Sequence, residues 1–194
     1  MSLFNVYLVW LLSFLVTMPT RLDKMWIITE ESSLEIFIST NVKDFHCELK
    51  GYSGDEVLYE RLDIVSGMFQ LSGKLEVASA DFDCHNRFMT SDFAKTLKAD
   101  DYPLIAIRFI DLLPMTNRDN PDVLQGSAEI TLAGVTNVYK IRCTSSDNGT
   151  TKHLNGSQAL RLSDFGLVPP KKLFGALTVS DSVWVEFHLK LKSI

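Results

Sequence analysis

The sequence lacks the short motifs that mark the commonest catalytic and nucleotide-binding sites. It has no nucleophile elbow, no P-loop and no dinucleotide-binding fingerprint. His46, His153 and His188 lie far apart in the chain and do not have the spacing of metal ligands. We therefore assign no catalytic residues and no metal ligands, and the residues favour a protein that is not an enzyme.

Positive charge is scarce as well. The chain has 19 Lys and Arg against 24 Asp and Glu, which gives a net charge of −5 at pH 7. Nucleic-acid binding requires a basic surface, and anionic membranes attract runs of Lys and Arg, but no such run occurs here. We therefore predict no nucleic-acid partner.

Long hydrophobic runs are also absent. The apolar stretch Leu8–Val16, interrupted by Ser13, is shorter than the roughly 20 residues that a membrane-spanning helix needs. Its length is typical of the central region of a signal peptide, although no Lys or Arg precedes it. We expect residues 1–20 to be a signal peptide or another N-terminal hydrophobic segment, with an uncleaved anchor or an extra strand as alternatives. Residues 21–194 then form one domain, which is periplasmic or secreted.

The chain is rich in segments where apolar and polar residues alternate, which is the pattern of a strand with one buried face. The clearest segment is Val183–Leu191, and similar runs surround Ile36, Ile107, Ile130 and Ile141. We predict about eight antiparallel strands, which must bury one face. Periodicity alone leaves two closures open, a sandwich of two sheets or a barrel.

Glycine makes two other segments harder to assign. Asp63–Leu71 is ambiguous because Gly67 weakens a strand there. Asn155-Gly156 has the composition of a tight turn that needs positive φ, so we predict a turn at that position.

One helix interrupts the strands. Met89, Phe93 and Leu97 recur every four residues and form one apolar stripe over two to three turns. Ser91 or Asp92 is predicted to cap the helix, because a side-chain oxygen there accepts from a free backbone N–H. The fold class is therefore all-β with one short helix, and we expect this helix to form a lid across one end of the sheet or barrel.

The residues around this helix form a recognisable pattern: Asn86, Arg87, Met89, Asp92, Phe93, Tyr102, Pro103 and Phe109. Two further blocks, Leu132–Thr136 and Ser163–Leu167, follow in the chain. Together they resemble the YceI-like family of lipid-binding proteins over most of the sequence, from Trp26 to Leu191. The segment Ser39–Cys47 is more similar to a cysteine-containing branch of that family.

The resemblance implies an antiparallel lipocalin-like β-barrel with a helical lid insert. It also implies a bound long apolar molecule, such as an isoprenoid or a fatty-acyl lipid, and a barrel of about eight strands is wide enough for one small ligand. The likeness to the cysteine-containing branch implies a disulfide between Cys47 and Cys84, which would contribute about 3–4 kcal/mol by closing its loop. Three buried reduced thiols are the alternative.

The cavity candidates are the apolar residues on the inward faces of the strands and the helix, although core packing is the alternative for each one alone. They are Ile36, Leu75, Val77, Phe93, Ile105, Ile107, Phe109, Ile130, Leu132, Tyr139, Ile141, Val185, Phe187 and Leu189. Arg87 and Arg108, near the helix, are candidates to meet a polar head group.

We therefore expect a non-catalytic protein that transports or sequesters a long apolar molecule, with no cofactor besides a bound lipid. Transient membrane contact and a homodimer are both compatible with this role. One alternative is a fully packed barrel that acts as a protein-binding scaffold. Another is an enzyme that uses Asp81, Cys84 and His85. A metal site there is disfavoured, because the neighbours Cys84 and His85 would point to opposite faces of a strand and could not easily bind one metal ion.

Overall fold

The computed structural model describes residues 21–52, 54–115, 122–172 and 176–194. The predicted leader at residues 1–20 lies outside this part of the chain. The twelve strands in the described residues are β1 (Arg21–Ile28), β2 (Ser33–Thr40), β3 (Phe45–Leu49), β4 (Val57–Asp63), β5 (Phe69–Ala78), β6 (Phe82–Asp83), β7 (Leu104–Pro114), β8 (Val123–Leu132), β9 (Val135–Asp147), β10 (Thr151–Arg161), β11 (Lys171–Lys172) and β12 (Leu177–Ser193).

One α-helix, α1 (Arg87–Thr96), and two short 3₁₀ turns, Ser79–Asp81 and Leu162–Phe165, complete the described secondary structure. Within those residues no helix has the length and apolar character needed to cross a membrane.

Eight strands close into a ring in the order β1-β4-β5-β7-β8-β9-β10-β12, and every neighbouring pair is antiparallel. The ring closes where β1 meets the end of β12, with Trp26 opposite Ser193 and Ile28 opposite Leu191. The predicted lipocalin-like barrel is therefore confirmed, and the sandwich is excluded.

The long strand β12 has a second partner. Its last residues pair with β1, whereas the part from Val179 to His188 pairs with β2. β3 and β6 then continue from β2 as an arm of the sheet. The last residues of β12 thus close the ring with β1, and its earlier residues carry the arm β2-β3-β6, which extends the wall.

A β-bulge in β7 keeps its apolar residues on the inward face. Phe109 pairs with Ala128 and Asp111 with Ser127, so Ile110 is the extra residue. Leu112 thereby returns to the interior, where it is fully buried. Position 126 must be glycine, because a Cβ there would lie 1.4 Å from the Asp111 carbonyl oxygen.

The two segments that glycine made uncertain have different outcomes. Gly67 belongs to a turn between β4 and β5, has φ of 68° and donates its N–H to the Asp63 carbonyl. The turn predicted at Asn155-Gly156 is wrong, because both residues lie within β10 and Gly156 pairs with Phe187. The missing side chain makes room for an aromatic ring on the neighbouring strand.

Candidate functional site

Helix α1 begins earlier than its sequence suggests. The Asn86 side chain accepts hydrogen bonds from the N–H groups of Phe88 (2.9 Å) and Met89 (3.4 Å). Asn86 is therefore the N-cap, and the prediction of Ser91 or Asp92 is wrong. Because only three residues separate the paired residues of β6 from the helix, its apolar stripe is fixed relative to the barrel.

A cavity of about 350 Å³ lies between α1, the inner face of β2 and the barrel. Its wall consists mainly of aliphatic and aromatic side chains. The lining residues are Leu34, Ile36, Ile38, Thr40, Val42, Lys43, Phe45, Met89, Asp92, Phe93, Thr96, Leu97, Ile105, Ile130, Leu132, Leu160, Leu162, Pro170, Leu177, Val179, Val183 and Val185.

The helix covers this cavity with its apolar stripe. Met89, Phe93 and Leu97 all contribute to the wall. Phe93 also contacts Phe82 of β6, with ring centroids 5.4 Å apart, so the helix is held to the arm by an aromatic pair. The position of α1 agrees with the lid expected from the sequence.

The opening of the cavity, which we call the mouth, is formed by the exposed lining residues Val42, Lys43 and Met89. Other polar lining groups are engaged locally. The Thr40 hydroxyl donates to the Lys43 carbonyl (2.9 Å), and the Thr96 hydroxyl donates to the Asp92 carbonyl (2.7 Å). The Lys43 ammonium forms no ion pair with any residue that the structure describes, so it is available to a ligand at the mouth.

Six of the fourteen predicted cavity residues line the wall, namely Ile36, Phe93, Ile105, Ile130, Leu132 and Val185. Five others, Leu75, Val77, Phe109, Ile141 and Leu189, are buried in the core but do not reach it. Ile107, Tyr139 and Phe187 are partly buried and pack against that core.

Phe187 follows the lining residue Val185 on β12 but does not itself line the cavity. It is the next residue after Val185 on the inward face and lies opposite Gly156. A Cβ added at position 156 would meet the Phe187 ring at 2.5 Å and the Cys143 Cβ at 2.9 Å. The ring therefore packs directly over the glycine backbone.

Tyr139 is directed toward the turn that follows β10. Its hydroxyl lies 3.4 Å from Asp164 Oδ2, and its ring stacks on Phe165 with centroids 6.1 Å apart. Partial burial raises the pKa of Tyr139, and the Asp164 carboxylate adds to this rise. Tyr139 thus supports the barrel wall from the side of the 3₁₀ turn.

The sequence pattern also missed several wall residues. Leu34 and Ile38 flank Ile36 on the same face of β2, and Val183 precedes Val185 on β12. The two-residue period carries this information once one member of the face is known to line the cavity. No local pattern pointed to Lys43, which lies in the loop between β2 and β3.

A buried ionic cluster occupies the other end of the barrel. The Lys152 side chain is 2% exposed, contacts the Glu60 carboxylate, and has its ammonium 3.3 Å from Asp147 Oδ2. The same ammonium lies 4.9 Å from the Trp26 ring centroid and 4.6 Å from that of Phe69. Trp26 Nε1 donates to Glu60 at 3.0 Å. This cluster makes that end of the barrel polar, so an apolar chain gains nothing by reaching it.

Cys47 and Cys84 form a disulfide, and Cys143 is free and buried. The bond joins β3 to the residues immediately before α1. It therefore ties the lid to the arm of the sheet at the same place as the Phe82–Phe93 contact. Burial raises the pKa of Cys143 to about 11.

The polar residues near Cys84 are held by one another. The Lys50 ammonium lies 2.5 Å from Asp83, and this hydrogen-bonded pair lowers the pKa of the Asp83 carboxyl. His85 Nε2 lies 3.2 Å from His46 Nε2 and 3.6 Å from Glu48. Within the described ranges, no group of three or more His, Cys, Asp or Glu side chains is arranged to hold a metal ion.

Neither arginine that was considered for a head group lines the cavity. Arg108 pairs with Glu129 at 2.6 Å on the outer face of the barrel. Arg87 lies over the Phe88 ring, with its guanidinium carbon 4.6 Å from the ring centroid. Among the side chains that the structure describes, Lys43 is the cationic one that lines the cavity.

The structure is similar to several solved structures. BcnA from Burkholderia cenocepacia matches with a TM-score of 0.66 at 18% identity, over 82% of this chain and 96% of that one. A polyisoprenoid-binding domain from Saccharophagus degradans, implicated in plant cell wall breakdown, matches with 0.59 at 14% identity, over 88% and 98%. The YceI protein of Campylobacter jejuni matches with 0.51 at 15% identity, over 73% and 83%.

No family model matches the sequence, and no curated protein matches it either. At identities this low, the structural likeness shows the fold. It confirms the YceI-like fold that the sequence pattern suggested. The likeness to a cysteine-containing branch stays a prediction.

Proposed function

We propose that the protein binds one amphiphile by its hydrocarbon chain and carries or sequesters it without chemical change. The observation that carries this proposal is the cavity of about 350 Å³ with an almost wholly hydrocarbon wall beneath a helical lid. The barrel is therefore hollow beneath the lid, which favours a carrier over a packed scaffold. The similarity to a polyisoprenoid-binding domain supports an isoprenoid or fatty-acyl chain as the ligand.

The volume limits the chain length. A water-sized group such as a methylene occupies about 30 Å³ in a liquid, so the cavity holds about 12 methylenes. This corresponds to a fatty-acyl chain of moderate length or to two or three isoprene units. A longer polyisoprenoid would have to leave part of its chain at the mouth.

The polar groups give the ligand an orientation. Lys43 lies at the mouth, whereas the rest of the wall consists mainly of aliphatic and aromatic side chains. A ligand that enters with its hydrocarbon chain first therefore leaves its head group beside the Lys43 ammonium. A carboxylate or phosphate head group suits this position, because it would supply the counter-charge that Lys43 lacks among the described side chains.

We propose no reaction for this site. The threonine hydroxyls of the wall donate to backbone carbonyls. A disulfide between Cys47 and Cys84 supports a periplasmic or secreted location, because such bonds persist in oxidising compartments.

Titration with saturated fatty acids from octanoate to eicosanoate tests this function. Each buried methylene contributes about 0.8 kcal/mol, which is roughly a fourfold gain in affinity per carbon. We expect this gain up to a chain of about 12 carbons and a plateau beyond it, because further carbons stay outside the cavity. Native mass spectrometry of protein purified from its source should show one lipid-sized mass increment.

A matched pair of substitutions locates the binding. Val185→Phe takes up part of the cavity and should weaken the binding of a chain that fills it about tenfold, since the larger side chain removes space for about two methylenes. Val138→Phe, on the exposed outer face of β9, adds the same ring and should leave affinity unchanged. The proposal would be overturned if the protein bound no fatty acid and carried no co-purified lipid. It would also be overturned if the two variants bound fatty acid with equal affinity.

A further inference from the structure

The surface around the mouth carries exposed apolar side chains from three separate segments. Val42 is 74% exposed, Phe88 is 67% exposed and Val168 is 79% exposed. Each lies within two residues of a cavity-lining residue, namely Lys43, Met89 and Pro170 respectively. Because neighbouring Cα atoms are about 3.8 Å apart, the Cα atom of each lies within about 8 Å of the Cα atom of a residue in the cavity wall.

The apolar cavity wall continues onto this surface. Val42 and Met89 line the cavity and are also exposed, so they are part of both the cavity wall and the outer surface of the protein. Phe88 is one residue before Met89, and a helix turns by about 100° per residue, so its ring stands on the flank of the lid. An apolar chain could pass from the surroundings into the cavity without crossing a continuous polar border.

Cationic side chains accompany these apolar groups. Lys43 lies at the mouth, and Arg87 and Lys95 lie on the outer side of α1. In the part of the chain that the structure describes, none of the three forms an ion pair. The Arg87 guanidinium lies over the Phe88 ring, so these side chains present an apolar body and a positive group together.

We infer that the mouth docks on the surface of a lipid bilayer, where Phe88, Val168 and Val42 enter the boundary below the head groups and the cations contact lipid phosphates. This inference rests on the proposed function, because a chain that fits the cavity resides in bilayers before it is bound. Single aromatic and aliphatic side chains combined with a few cations give the shallow and reversible attachment that such an exchange requires.

Vesicle co-flotation tests the docking with two matched double variants. Phe88→Ser/Val168→Ser removes apolar surface beside the mouth without altering a cavity-lining residue. Ile64→Ser/Val65→Ser removes exposed apolar side chains, 54% and 82% exposed, from the turn between β4 and β5. That turn lies at the end of β5 opposite to the one that leads to the lid, since the eight residue steps from Phe69 to Val77 span about 26 Å.

The wild type and the Ile64→Ser/Val65→Ser variant should float equally with vesicles of phosphatidylcholine and phosphatidylglycerol in equal parts. The Phe88→Ser/Val168→Ser variant should bind them roughly tenfold more weakly or worse. Its equilibrium affinity for dodecanoate should stay unchanged, whereas its transfer of a fluorescent dodecanoyl probe to vesicles should slow by the same factor. Vesicles of phosphatidylcholine alone should bind the wild type less, because the phosphate contacts are weaker without net negative charge.

Equal flotation of the two variants would overturn the docking surface. Wild-type dimers that dissociate on Phe88→Ser/Val168→Ser substitution would also overturn it, because the patch would then cover a second copy of the chain. Fatty-acid binding without any vesicle binding would refute the docking and leave the carrier function intact. If the wild type did not bind dodecanoate, the carrier function would be refuted instead.

Discussion

Replacing Lys152 by methionine should strongly destabilise the protein. The methionine keeps an apolar stem against Trp26 and Phe69, but it removes the ammonium that faces the Glu60 carboxylate. Glu60 is only 13% exposed and would retain the Trp26 N–H as a neutral donor. Breaking a buried ion pair by removing one partner costs about 3–5 kcal/mol. Because Asp147 is 34% exposed and can be rehydrated, we expect a loss near 3 kcal/mol.

The second half of the experiment removes the stranded charge. In the double variant Lys152→Met/Glu60→Gln, neither of the two positions carries a charge, and replacing both partners of a buried ion pair by uncharged side chains of similar volume is often close to neutral. We expect the double variant to recover most of the stability that Lys152→Met loses. The resulting coupling free energy between the two positions should be about 2 kcal/mol or more.

Urea unfolding monitored by circular dichroism measures these changes, with the free energy of unfolding extrapolated to zero denaturant. Lys190→Met is the matched control, because Lys190 pairs with Glu31 at 2.5 Å on the surface of the neighbouring strand. It should change stability little, since exposed ion pairs are screened by water. The reasoning fails if Lys152→Met lowers the free energy of unfolding no more than the control does. It also fails if the changes caused by Lys152→Met and by Glu60→Gln alone add up to the change in the double variant.

Two further predictions concern the ring next to the cavity and the free thiol. Phe187→Ala removes a ring that packs on Gly156, just beyond the lining residue Val185, and should open space that joins the cavity, so that the affinity plateau in the fatty-acid series moves to chains about three carbons longer; an unchanged plateau would show that this space does not join the cavity. Cys143 has a pKa of about 11, so at pH 8 only about one molecule in a thousand carries the thiolate, and we expect no reaction with Ellman's reagent until the protein unfolds. One thiol should then react without reductant and three after reduction of the Cys47–Cys84 bond, whereas rapid labelling of the native protein would contradict the burial.

The strands and the helix could be predicted from the sequence because their signals are local. Val183, Val185 and Leu189 alternate with polar residues over one element, and the structure places this run inside β12. The stripe of Met89 and Phe93 likewise depends on contacts within a few turns. Such patterns are formed by residues close together in the chain, so they can be recognised without knowledge of any distant contact.

The cavity residues were harder to identify for a physical reason. Leu75 and Ile130 both face inward and both are apolar, yet only Ile130 borders the cavity. Packing residues and ligand-binding residues of an apolar interior have the same composition, so their periodicity is identical. The difference depends on what lies across the barrel, such as the ring of Phe187 above Gly156.

The sequence by itself determined an antiparallel all-β chain with one short apolar-striped helix, because side-chain period and turn chemistry act over neighbouring residues. The tertiary structure decided that the sheet closes, that Asn86 rather than Ser91 caps the helix, and that Lys152 is buried. These features depend on pairs such as Trp26 with Ser193 and Glu60 with Lys152, which are far apart in the chain. Their energies come from long-range register and burial, which a local pattern of residues does not contain.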